Sequence, residues 1–530
     1  MIAKIVDGMG AMDLKTLIAG LDIHATNASA DLSSVQVCDL TEDSRTAVPG
    51  SLFVARAGLS TDGKRYIEDA IECGAVAVLT DTAGIELPRN SDALVLVSKE
   101  LTRHAALIAE RFWGNPASAL SIMGVTGTNG KTTVAHFVQQ LVRGAGVRCG
   151  LIGTVVIDDG RECARASMTT PPAIELSRTL ATMVEHRCEA VAMEVSSHAL
   201  SQGRASALRF DAAVLTNITG DHLDYHKTPE GYADAKAVLF ELLDAEAEAV
   251  FARGAPGSEG IAGRCAQGVH KRWCSLDGDT DWGVRVETES IDGMTLSVRT
   301  PMGGFTKRTK LIGSYNALNL VEAIASTDIL LDRLNVGDAE RLASYEKTLA
   351  SIGLPPGRLE RVDGRGDTVR VFVDFAHTDD ALRTTLAGIR PLVDPRSKLW
   401  VVFGCGGDKD RTKRPRMGRV ASEGADRVVV TSDNPRTEKP SAIVDEILSG
   451  IDPMARIRVD VQVDRGRAIV FAIEHAEPGD VVVIAGKGHE TEQIVPSPVG
   501  GVSTIRFDDR EHARVALRQR RLKFPAAGAS

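Results

Sequence analysis

Apolar residues in this chain gather in short, uninterrupted runs, and several runs are followed by apolar positions at helical spacing. Early runs are Ser51–Ala55 and residues 75–79, and later runs cover residues 190–195 and 212–216. A strand that is apolar at every position is typically buried on both faces, as in a parallel sheet covered by helices. The pattern therefore predicts alternating strands and helices, which is an α/β fold.

Four more strands are predicted in the last third of the chain, and each leads directly into a polar loop. Residues 371–373 lead to the DFAH loop that ends at His377, and Leu399–Phe403 leads to a GCGGDKD loop. Residues 428–430 lead to TSDNPR, and Val481–Ala485 leads to GKGHE. Open α/β sheets bind ligands at the carboxyl ends of parallel strands, so these loops are predicted to form a binding edge.

Two breaks that contain Gly and Pro divide the chain. Residues 114–116 read GNP and precede one predicted strand, and residues 354–357 read LPPG and precede the four C-terminal strands. Breaks of this kind mark domain boundaries, and a length of 530 residues suggests three or four domains. We therefore predict domains over residues 1–113, 114–355 and 356–530.

The most informative stretch is GVTGTNGKTT, which runs from Gly124 to Thr133. A predicted strand over residues 120–125 leads into it, and an apolar helix pattern follows it. Strand, glycine loop, Lys-Thr and helix is the order of a phosphate-binding loop, in which backbone N–H groups and the helix N-terminus face the phosphates. In that case Lys131 reaches the terminal phosphates and the Thr132 hydroxyl ligates Mg²⁺.

This loop departs from the usual spacing of the motif. Position 125, where the first glycine is expected, is Val, and Gly124 and Gly127 stand on either side of it. An ordinary glycine turn between a strand and a helix is the alternative interpretation. The placement of Gly-Lys-Thr favours nucleotide binding over that alternative.

Other polar residues in the middle of the chain are weaker candidates. Glu194 ends a predicted strand, where a carboxylate near a phosphate loop is the usual second anchor for Mg²⁺, with a solvated carboxylate as the alternative. His222 and His226 have the spacing of zinc ligands, but the HExxH pattern is absent and a zinc site is not predicted. Lys236 lies in a predicted helix over residues 230–243, where an exposed helix lysine is the simplest interpretation.

Composition and charge narrow the possible partners. The net charge of −9 argues against a general nucleic-acid or membrane-surface partner, although basic clusters occur within residues 409–416 and 514–523. The second cluster is predicted to lie on a last helix. The eight cysteines form no CxxC pair, which indicates reduced thiols in the cytoplasm. We expect no signal peptide, because Lys4, Asp7, Asp13 and Lys15 interrupt the N-terminal region. We also expect no membrane insertion, because no apolar run approaches the roughly 20 residues of a membrane span.

Taken together, the motifs resemble those of the Mur ligases, ATP-dependent enzymes that form amide bonds in peptidoglycan synthesis. The resemblance covers nearly the whole chain, and the order of the motifs is highly specific. The motifs that carry it are GTNGKTT, MEVSSH, TNITGDHLDYH, GSYNALN, PGRLE, DFAHT, FGCGGDKD, SDNPR and AGKGHE.

The resemblance implies a function for each predicted domain. Residues 1–113 would form an N-terminal α/β domain that binds the UDP-substrate, residues 114–355 a central ATP-binding P-loop domain with a parallel sheet, and residues 356–530 a Rossmann-like domain that binds an amino acid. The implied reaction adds meso-diaminopimelate to UDP-N-acetylmuramoyl-L-alanyl-D-glutamate through an acyl phosphate, with ATP as co-substrate and Mg²⁺ as cofactor. A cytoplasmic monomer with small-molecule substrates is expected.

The resemblance also implies roles for individual residues. The implied catalytic residues are Lys131, Glu194, His222 and Lys236, and the implied Mg²⁺ ligands are Thr132, Glu194, His222 and Lys236, the last as a carbamate. The implied ATP contacts are Gly127, Thr128, Asn129, Gly130, Lys131, Thr132, Thr133, Asn217, Asn316, Asn319, Arg358 and Asp374. The implied contacts to the UDP-muramoyl-dipeptide are Ser44, Leu59, Ser60, Thr61, Thr169, Thr170, Ser196, Gln202 and Arg204.

The implied contacts to diaminopimelate are Lys409, Asp433, Asn434, Pro435, Arg436, Gly486 and Glu490. Arg436 can bind the distal carboxylate of diaminopimelate bidentately, and lysine lacks that carboxylate. Lys409 stands where some relatives carry Arg, so its contact to a carboxylate is less directed. Tyr315 stands where Phe is common, which adds a hydroxyl group.

Two alternatives remain open from the sequence. One is another amide ligase of the same family, either lysine-adding or of the folylpolyglutamate type, which a panel of amino-acid substrates would distinguish. The other is a P-loop regulator that binds nucleotide and switches a partner without making an amide product. The motifs at the C-terminal strand ends argue against the regulator, because it leaves them unexplained.

Overall fold

The computed structural model describes residues 10–26, 31–58, 61–85, 87–88 and 91–523. Leu59 and Ser60, two of the predicted substrate contacts, lie outside these residues. Contacts between Cα atoms divide the chain into two compact units. The first comprises Met1–Trp273 and Glu322–Ser344, and the second comprises Cys274–Val321 and Tyr345–Ser530. The boundaries near residues 113 and 355 stay predictions.

The N-terminal part of the first unit is a small sheet with helices. Strands β4 to β7 are parallel to one another, in the sheet order β2-β7-β6-β5-β4. The elements are β1 (Met12–Asp13), α1 (Leu14–Ile18), β2 (His24–Ala25), β3 (Gln36–Val37), β4 (Asp39–Thr41), β5 (Ser51–Ala55), α2 (Ile67–Glu72), β6 (Ala77–Thr80), β7 (Leu94–Val97) and α3 (Leu101–Phe112).

The predicted strand over 75–79 begins later than expected. The backbone N–H of Ala75 donates to the carbonyl of Ala70 at 3.0 Å, so Ala75 still belongs to the turn that ends α2. The strand therefore begins at Ala77.

The rest of the first unit surrounds the glycine loop. Its elements are β8 (Ser121–Thr126), α4 (Lys131–Gly144), β9 (Cys149–Ile152), β10 (Val156–Asp158), β11 (Cys163–Arg165), α5 (Ala173–Glu185), β12 (Ala190–Glu194), α6 (Ser197–Ser201), β13 (Phe210–Leu215), α7 (Leu223–His226), α8 (Pro229–Glu241), β14 (Leu243–Ala252), α9 (Ser258–Ala262) and β15 (His270–Ser275). Strands β9, β12, β8, β13 and β14 are adjacent and parallel, so the predicted parallel sheet is confirmed.

The apolar strand β8 carries a glycine because of packing. A Cβ at Gly124 would lie 2.8 Å from the ring of Phe210 and 3.0 Å from Leu239. Gly124 therefore makes room for the neighbouring strand β13 and helix α8. Its role is in the core rather than in the loop.

The second unit contains an antiparallel meander of β16, β17 and β18, then two helices and a large sheet. Its elements are β16 (Trp282–Ser290), β17 (Gly293–Thr300), β18 (Gly303–Thr309), α10 (Ser314–Arg333), α11 (Asp338–Leu349), β19 (Glu360–Arg361), β20 (Arg370–Asp374), α12 (Asp379–Ile389), β21 (Leu399–Phe403), α13 (Lys413–Gly424), β22 (Arg427–Val430), α14 (Pro440–Leu448), β23 (Val459–Val461), α15 (Arg465–His475), β24 (Val481–Ala485), β25 (Glu492–Pro496), β26 (Val502–Arg506) and α16 (Asp509–Lys523). Helix α10 begins in the second unit and ends in the first, and α11 begins in the first unit and ends in the second.

The large sheet is doubly wound, as the apolar runs predict. Its order is β19-β20-β24-β21-β22-β23, and all of its pairs except β19–β20 are parallel. Side chains of α12, α13 and α14 pack on one face, and those of α15 and α16 pack on the other. Val401 faces the first helix layer and Val402 the second, which explains why these strands are apolar at every position.

A fully buried ion pair joins α15 to α16. Arg465 Nε and Nη2 donate to the two carboxylate oxygens of Asp509 at 2.7 and 2.6 Å, and both side chains are 0% exposed. Arg465 Nη2 also donates to the carbonyl of Ala485 at 2.9 Å, and Nη1 donates to that of Ser432 at 3.4 Å. One guanidinium thus ties together the carboxyl ends of β22 and β24, where the DNPR and GKGHE loops begin.

Among the helices of the described chain, none combines the length and the apolarity that crossing a bilayer requires.

We expect Asp509→Ala to lower the free energy of unfolding by about 3–5 kcal/mol, because it leaves the Arg465 charge buried without its partner. The matched control is Glu511→Ala, since Glu511 pairs with Arg506 at 2.8 Å but the two side chains are 53% and 80% exposed. That change should cost less than about 1 kcal/mol. Urea denaturation measures the free energy of unfolding of both variants. Similar unfolding midpoints for Asp509→Ala and Glu511→Ala would mean that the buried pair contributes no more to stability than the surface pair.

Candidate active site

The glycine loop between β8 and α4 has a conformation that needs its glycines. Gly127 has φ 146° and Gly130 has φ 91°. A Cβ at Gly127 would lie 1.9 Å from the hydroxyl oxygen of Thr216, so this position accepts no side chain. Lys131 begins α4, and its Nζ donates to the carbonyls of Gly127 and Thr128 at 2.8 and 2.9 Å. The lysine thus folds back over its own loop.

The loop that follows β13 holds the glycine loop in place. Asn217 accepts a hydrogen bond from the backbone N–H of Thr128 through its carbonyl at 2.8 Å, and one from the N–H of Asn129 through Oδ1 at 3.1 Å. The amide of Asn217 donates in return to the carbonyl of Asn129 at 3.2 Å. The hydroxyl of Thr216 donates to that same carbonyl at 2.5 Å. These reciprocal bonds fix the backbone between Thr128 and Asn129.

Glu194, at the end of β12, is buried rather than solvated, so the alternative of an exposed carboxylate is wrong. It is 1% exposed. Its Oε2 accepts from the hydroxyls of Thr132 at 2.9 Å and Thr154 at 3.0 Å, and its Oε1 accepts from the backbone N–H of Thr154 at 2.7 Å. A carboxylate and a threonine hydroxyl at the start of a phosphate-loop helix are the oxygen donors that Mg²⁺ uses together with phosphate oxygens. The residues present therefore fit this cation.

Lys236, on α8, is also buried, so the simple interpretation as an exposed helix lysine is wrong. It is 1% exposed, and its Nζ donates to the carbonyl of Gly127 at 2.7 Å. The Nζ atom lies 4.3 Å from the ring centroid of Tyr232. Burial, together with the charge of nearby Lys131, lowers the pKa of Lys236 well below its ordinary value. The charged ammonium is therefore less favourable here than on an exposed lysine.

His222 lies at the rim of this region. Its side chain is 47% exposed, and its backbone has φ 54°. Its ring centroid is 4.8 Å from that of His198, and the ring of His198 lies 4.3 Å from that of Tyr225. Among the described residues, no group of three or more His, Cys, Asp and Glu side chains is placed to hold a metal ion.

A second set of predicted residues lies next to Glu194. The hydroxyl of Thr170 donates to the carbonyl of Glu194 at 2.9 Å, and the N–H of Ser196 donates to Thr170 Oγ1 at 3.1 Å. Arg204 donates to the carbonyl of Thr170 at 2.7 Å and to Gln202 Oε1 at 2.7 and 3.0 Å. Burial and the neighbouring Arg56 lower the pKa of the Arg204 guanidinium.

The remaining predicted substrate contacts of this unit form no direct hydrogen bond to Glu194 among the described residues. The hydroxyl of Thr169 lies 3.1 Å from that of Thr154, which itself bonds Glu194. Ser44 is buried at the start of a short 3-10 helix, and Thr61 is exposed. Their role in substrate binding stays a prediction.

In the second unit, the predicted amino-acid contacts come together at the carboxyl ends of β21, β22 and β24. Asn434 Nδ2 donates to Glu490 Oε2 at 2.9 Å. Arg436 Nη1 donates to the carbonyl of Gly407 at 2.8 Å and to that of Asn434 at 3.4 Å. No other hydrogen bond holds the Arg436 guanidinium within the part of the chain that the structure describes, so its other nitrogens can bind a ligand.

The loops at this edge pack closely on one another at two glycines. A Cβ at Gly407 would lie 1.9 Å from the carbonyl oxygen of Pro435, and one at Gly486 would lie 2.6 Å from Asp433 Oδ2. Lys409 is exposed and follows the same glycine-rich loop. Of the four loops that the sequence predicts at one edge, those that follow β21, β22 and β24 meet there.

The other four predicted ATP contacts lie in the second unit. Asn316 Nδ2 donates to the carbonyl of Ile312 at 2.8 Å, and Asn319 Nδ2 lies 3.4 Å from Asn316 Oδ1. Asp374 accepts from the N–H of Leu359 at 2.7 Å and from the hydroxyl of Thr385 at 3.0 Å. The guanidinium of Arg358 lies 4.7 Å above the ring of Phe375. The nucleotide-binding role of these four residues stays a prediction.

Sequence reasoning missed three residues that the structure places at the site. Thr154 bonds both oxygens of Glu194, Lys487 bonds Glu490 and Asn434, and Arg465 ties the strand ends together. Thr154 lies just after the apolar strand β9. Because polar residues at strand ends often form binding sites, its position in the sequence could have identified it as a candidate. The position of Arg465 at a helix start gave no such signal.

Comparison with known proteins agrees with this geometry. Family models match three parts of the chain: the Mur ligase middle domain at residues 125–327, the Mur ligase glutamate ligase domain at 357–488, and the Mur ligase family catalytic domain at 39–111.

Two curated relatives carry the name UDP-N-acetylmuramoyl-L-alanyl-D-glutamate–2,6-diaminopimelate ligase. The relative from Gloeobacter violaceus is 42% identical over 97% of this chain and 99% of its own length, and that from Geobacillus thermodenitrificans is 39% identical over 96% and 100%.

A solved structure of a ligase with that same name superposes with a TM-score of 0.65 at 30% identity, covering 96% of this chain and 99% of the other. The MurF ligase from Thermotoga maritima, solved with ADP, shares the fold with a TM-score of 0.60 at 18% identity, over 92% of this chain and 98% of its own. The confirmed α/β fold, the family models and these full-length relatives together show that the chain belongs to the Mur ligase family.

Proposed function

We propose that this protein is an ATP-dependent ligase that joins meso-diaminopimelate to the D-glutamyl carboxyl group of UDP-N-acetylmuramoyl-L-alanyl-D-glutamate. The γ-phosphoryl group of ATP passes to the glutamyl carboxylate and gives an acyl phosphate and ADP. The amine of diaminopimelate then attacks the acyl carbon. The amide bond forms as the bond to phosphate breaks, and the amine loses a proton.

One observation carries the choice of amino acid. Arg436 and Glu490, a guanidinium and a carboxylate, reach the same strand-end edge, and both bond Asn434 between them. The distal end of diaminopimelate carries a carboxylate and an ammonium on one carbon, which is the complementary pair of charges. The full-length relatives named for this activity support the same substrate.

The phosphate loop supplies most of the phosphoryl-transfer chemistry in this proposal. The backbone N–H groups of Gly130 and Lys131, at the N-terminus of α4, would face the ATP phosphates. Lys131, which now bonds its own loop, would move its ammonium onto the transferred phosphoryl group and offset the charge that develops there. Closure around the substrates would exclude water that otherwise hydrolyses the acyl phosphate.

Mg²⁺, when bound, supplies charge neutralisation at the phosphates. Thr132, Glu194 and His222 would hold it, together with Lys236 as a carbamate. The neutral amine of Lys236 can attack carbon dioxide, forming an N–C bond and releasing a proton. This reaction turns a nitrogen donor into an anionic oxygen donor, which Mg²⁺ prefers.

We expect Gly127→Ala to weaken ATP binding roughly ten- to a hundredfold, because the new Cβ meets Thr216 in a backbone region that L-residues avoid. Gly260→Ala is the control, since Gly260 lies in α9 with no atom within 4 Å of an added Cβ. Calorimetric titration with ATP measures both variants. Equal affinity in the two would reject the phosphate loop as the nucleotide site.

Lys236→Ala should be nearly inactive, and added formate or acetate should restore part of the activity by supplying the missing carboxylate. Lys271→Ala, which changes an exposed lysine of β15, should keep the wild-type rate. The carbamate carbon itself can be observed by NMR after labelling with ¹³C-bicarbonate. A Lys236→Ala variant with wild-type activity would return this residue to a packing role.

Substrate choice gives the sharpest test of the proposed function. With lysine in the site, the Arg436 guanidinium would be desolvated without a carboxylate partner, so kcat/KM for L-lysine should fall below that for meso-diaminopimelate by a factor on the order of 10⁴. Arg436→Ala should remove most of the diaminopimelate activity and leave the KM for ATP unchanged.

Arg467→Ala, which changes an exposed arginine at the start of α15, is the control for this experiment. Product formation is followed by mass spectrometry with each amino acid. Comparable wild-type kcat/KM values for lysine and diaminopimelate would defeat the proposed substrate but not the amide-ligase assignment.

A further inference from the structure

We propose that Lys487 is a positioning residue for amino-acid selection, which holds Glu490 and Asn434 in the geometry that receives the ammonium end of the substrate. The proposal rests on the proposed function, because it concerns the same amino-acid site.

Lys487 is a lysine with no access to solvent. Its side chain is 0% exposed, although it belongs to a loop at a strand end. The glycines beside it make this burial possible. Gly486 has φ 119° and Gly488 has φ 54°, and a Cβ at Gly488 would lie 2.6 Å from the carbonyl oxygen of Gly357 and 2.7 Å from Phe375. The loop therefore turns its lysine inward while its backbone packs closely on both sides.

The ammonium of Lys487 binds two residues of the amino-acid site at once. Its Nζ donates to Glu490 Oε2 at 2.7 Å and to Asn434 Oδ1 at 3.1 Å. Asn434 Nδ2 donates to the same Oε2 at 2.9 Å, and the N–H of Ile494 donates to Asn434 Oδ1 at 3.0 Å. The three side chains form a closed triangle of hydrogen bonds, in which each group has the donor or acceptor that its partners require.

Among the residues that the structure describes, this triangle uses one oxygen of Glu490 and leaves the other for a ligand. Both bonds reach Oε2, and the side chain of Glu490 is 31% exposed. Oε1 can therefore accept a hydrogen bond from an incoming ammonium while Oε2 stays fixed. The triangle also fixes the orientation of the Asn434 amide, because Oδ1 faces two donors and Nδ2 faces a carboxylate.

Two electrostatic effects of Lys487 oppose each other. Its positive charge repels the ammonium of the substrate, which would raise KM. Its hydrogen bonds hold the carboxylate of Glu490 and the amide of Asn434 in place, which would lower KM. The carboxylate of Glu490 is partly exposed, so solvent weakens the repulsion between Lys487 and the substrate, whereas the two short hydrogen bonds of the buried Lys487 act directly on Glu490 and Asn434. The second effect should therefore dominate.

The test compares Lys487→Met with wild type in steady-state ligation. We expect the KM for meso-diaminopimelate to rise about ten- to a hundredfold, the loss expected for a hydrogen bond to a charged group. The KM values for ATP and for the UDP-muramoyl-dipeptide should stay within roughly twofold of wild type. The control Lys398→Met removes a lysine that pairs with Glu477 at the surface, with 39% of its side chain exposed, and should leave all three KM values unchanged.

A double-variant cycle separates positioning from a general packing role. If Lys487 acts through Glu490, adding Lys487→Met to Glu490→Gln should raise the KM for diaminopimelate much less than Lys487→Met does alone. Equal increases in the two backgrounds would overturn the proposal, and so would a lower KM, which would mean that repulsion dominates. Where Lys487→Met does not fold, Lys487→Gln replaces it, since its amide keeps a donor and should give an intermediate KM.

The role of Lys487 and the proposed function fail in different experiments. A wild-type enzyme that does not use diaminopimelate would reject the proposed function. A wild-type enzyme that uses diaminopimelate, with an unchanged KM in Lys487→Met, would reject only the role of Lys487.

Discussion

Parallel pairing of strands that are buried on both faces is the constraint on which the rest of this molecule depends. Such strands end at one edge of the sheet, and the polar residues that follow them are brought together there. In the second unit, Phe403, Val430 and Ala485 end β21, β22 and β24, and the loops after them carry the proposed amino-acid contacts. In the first unit, β8, β12 and β13 deliver the glycine loop, Glu194 and Asn217 in the same way.

At both edges, the side chains hold one another before any ligand is considered. The hydroxyls of Thr132 and Thr154 donate hydrogen bonds to the carboxylate of Glu194. The side-chain nitrogens of Lys131 and Lys236 both donate to the carbonyl of Gly127. Binding of ATP would therefore replace internal hydrogen bonds rather than fill an unpaired site. Groups that are already ordered lose little additional freedom on binding, which favours affinity.

The sequence was sufficient to predict the elements that follow from local patterns. The parallel strands, the helix after the glycine loop and the last helix are all present, and β21 and β24 have the predicted bounds. Long-range contacts were not predictable in this way. Lys236 bonds a carbonyl 109 residues away, and Glu194 bonds a hydroxyl 62 residues away, so their burial depends on tertiary structure that no local pattern encodes. Lys487 was missed for the same reason, because its partner Asn434 lies 53 residues earlier.

The Arg465–Asp509 pair also sets an order of events while the chain is being synthesised. Arg465 leaves the ribosome 44 residues before Asp509, and until then its guanidinium lacks the carboxylate that accepts two of its hydrogen bonds in the folded protein. Chains fold from the N-terminus as they emerge, so the glycine-loop region can form early. The loops after β22 and β24 gain the tie through Arg465 and Asp509 only when α16 has been made. The glycine loop can therefore be in place before these two loops are fully held.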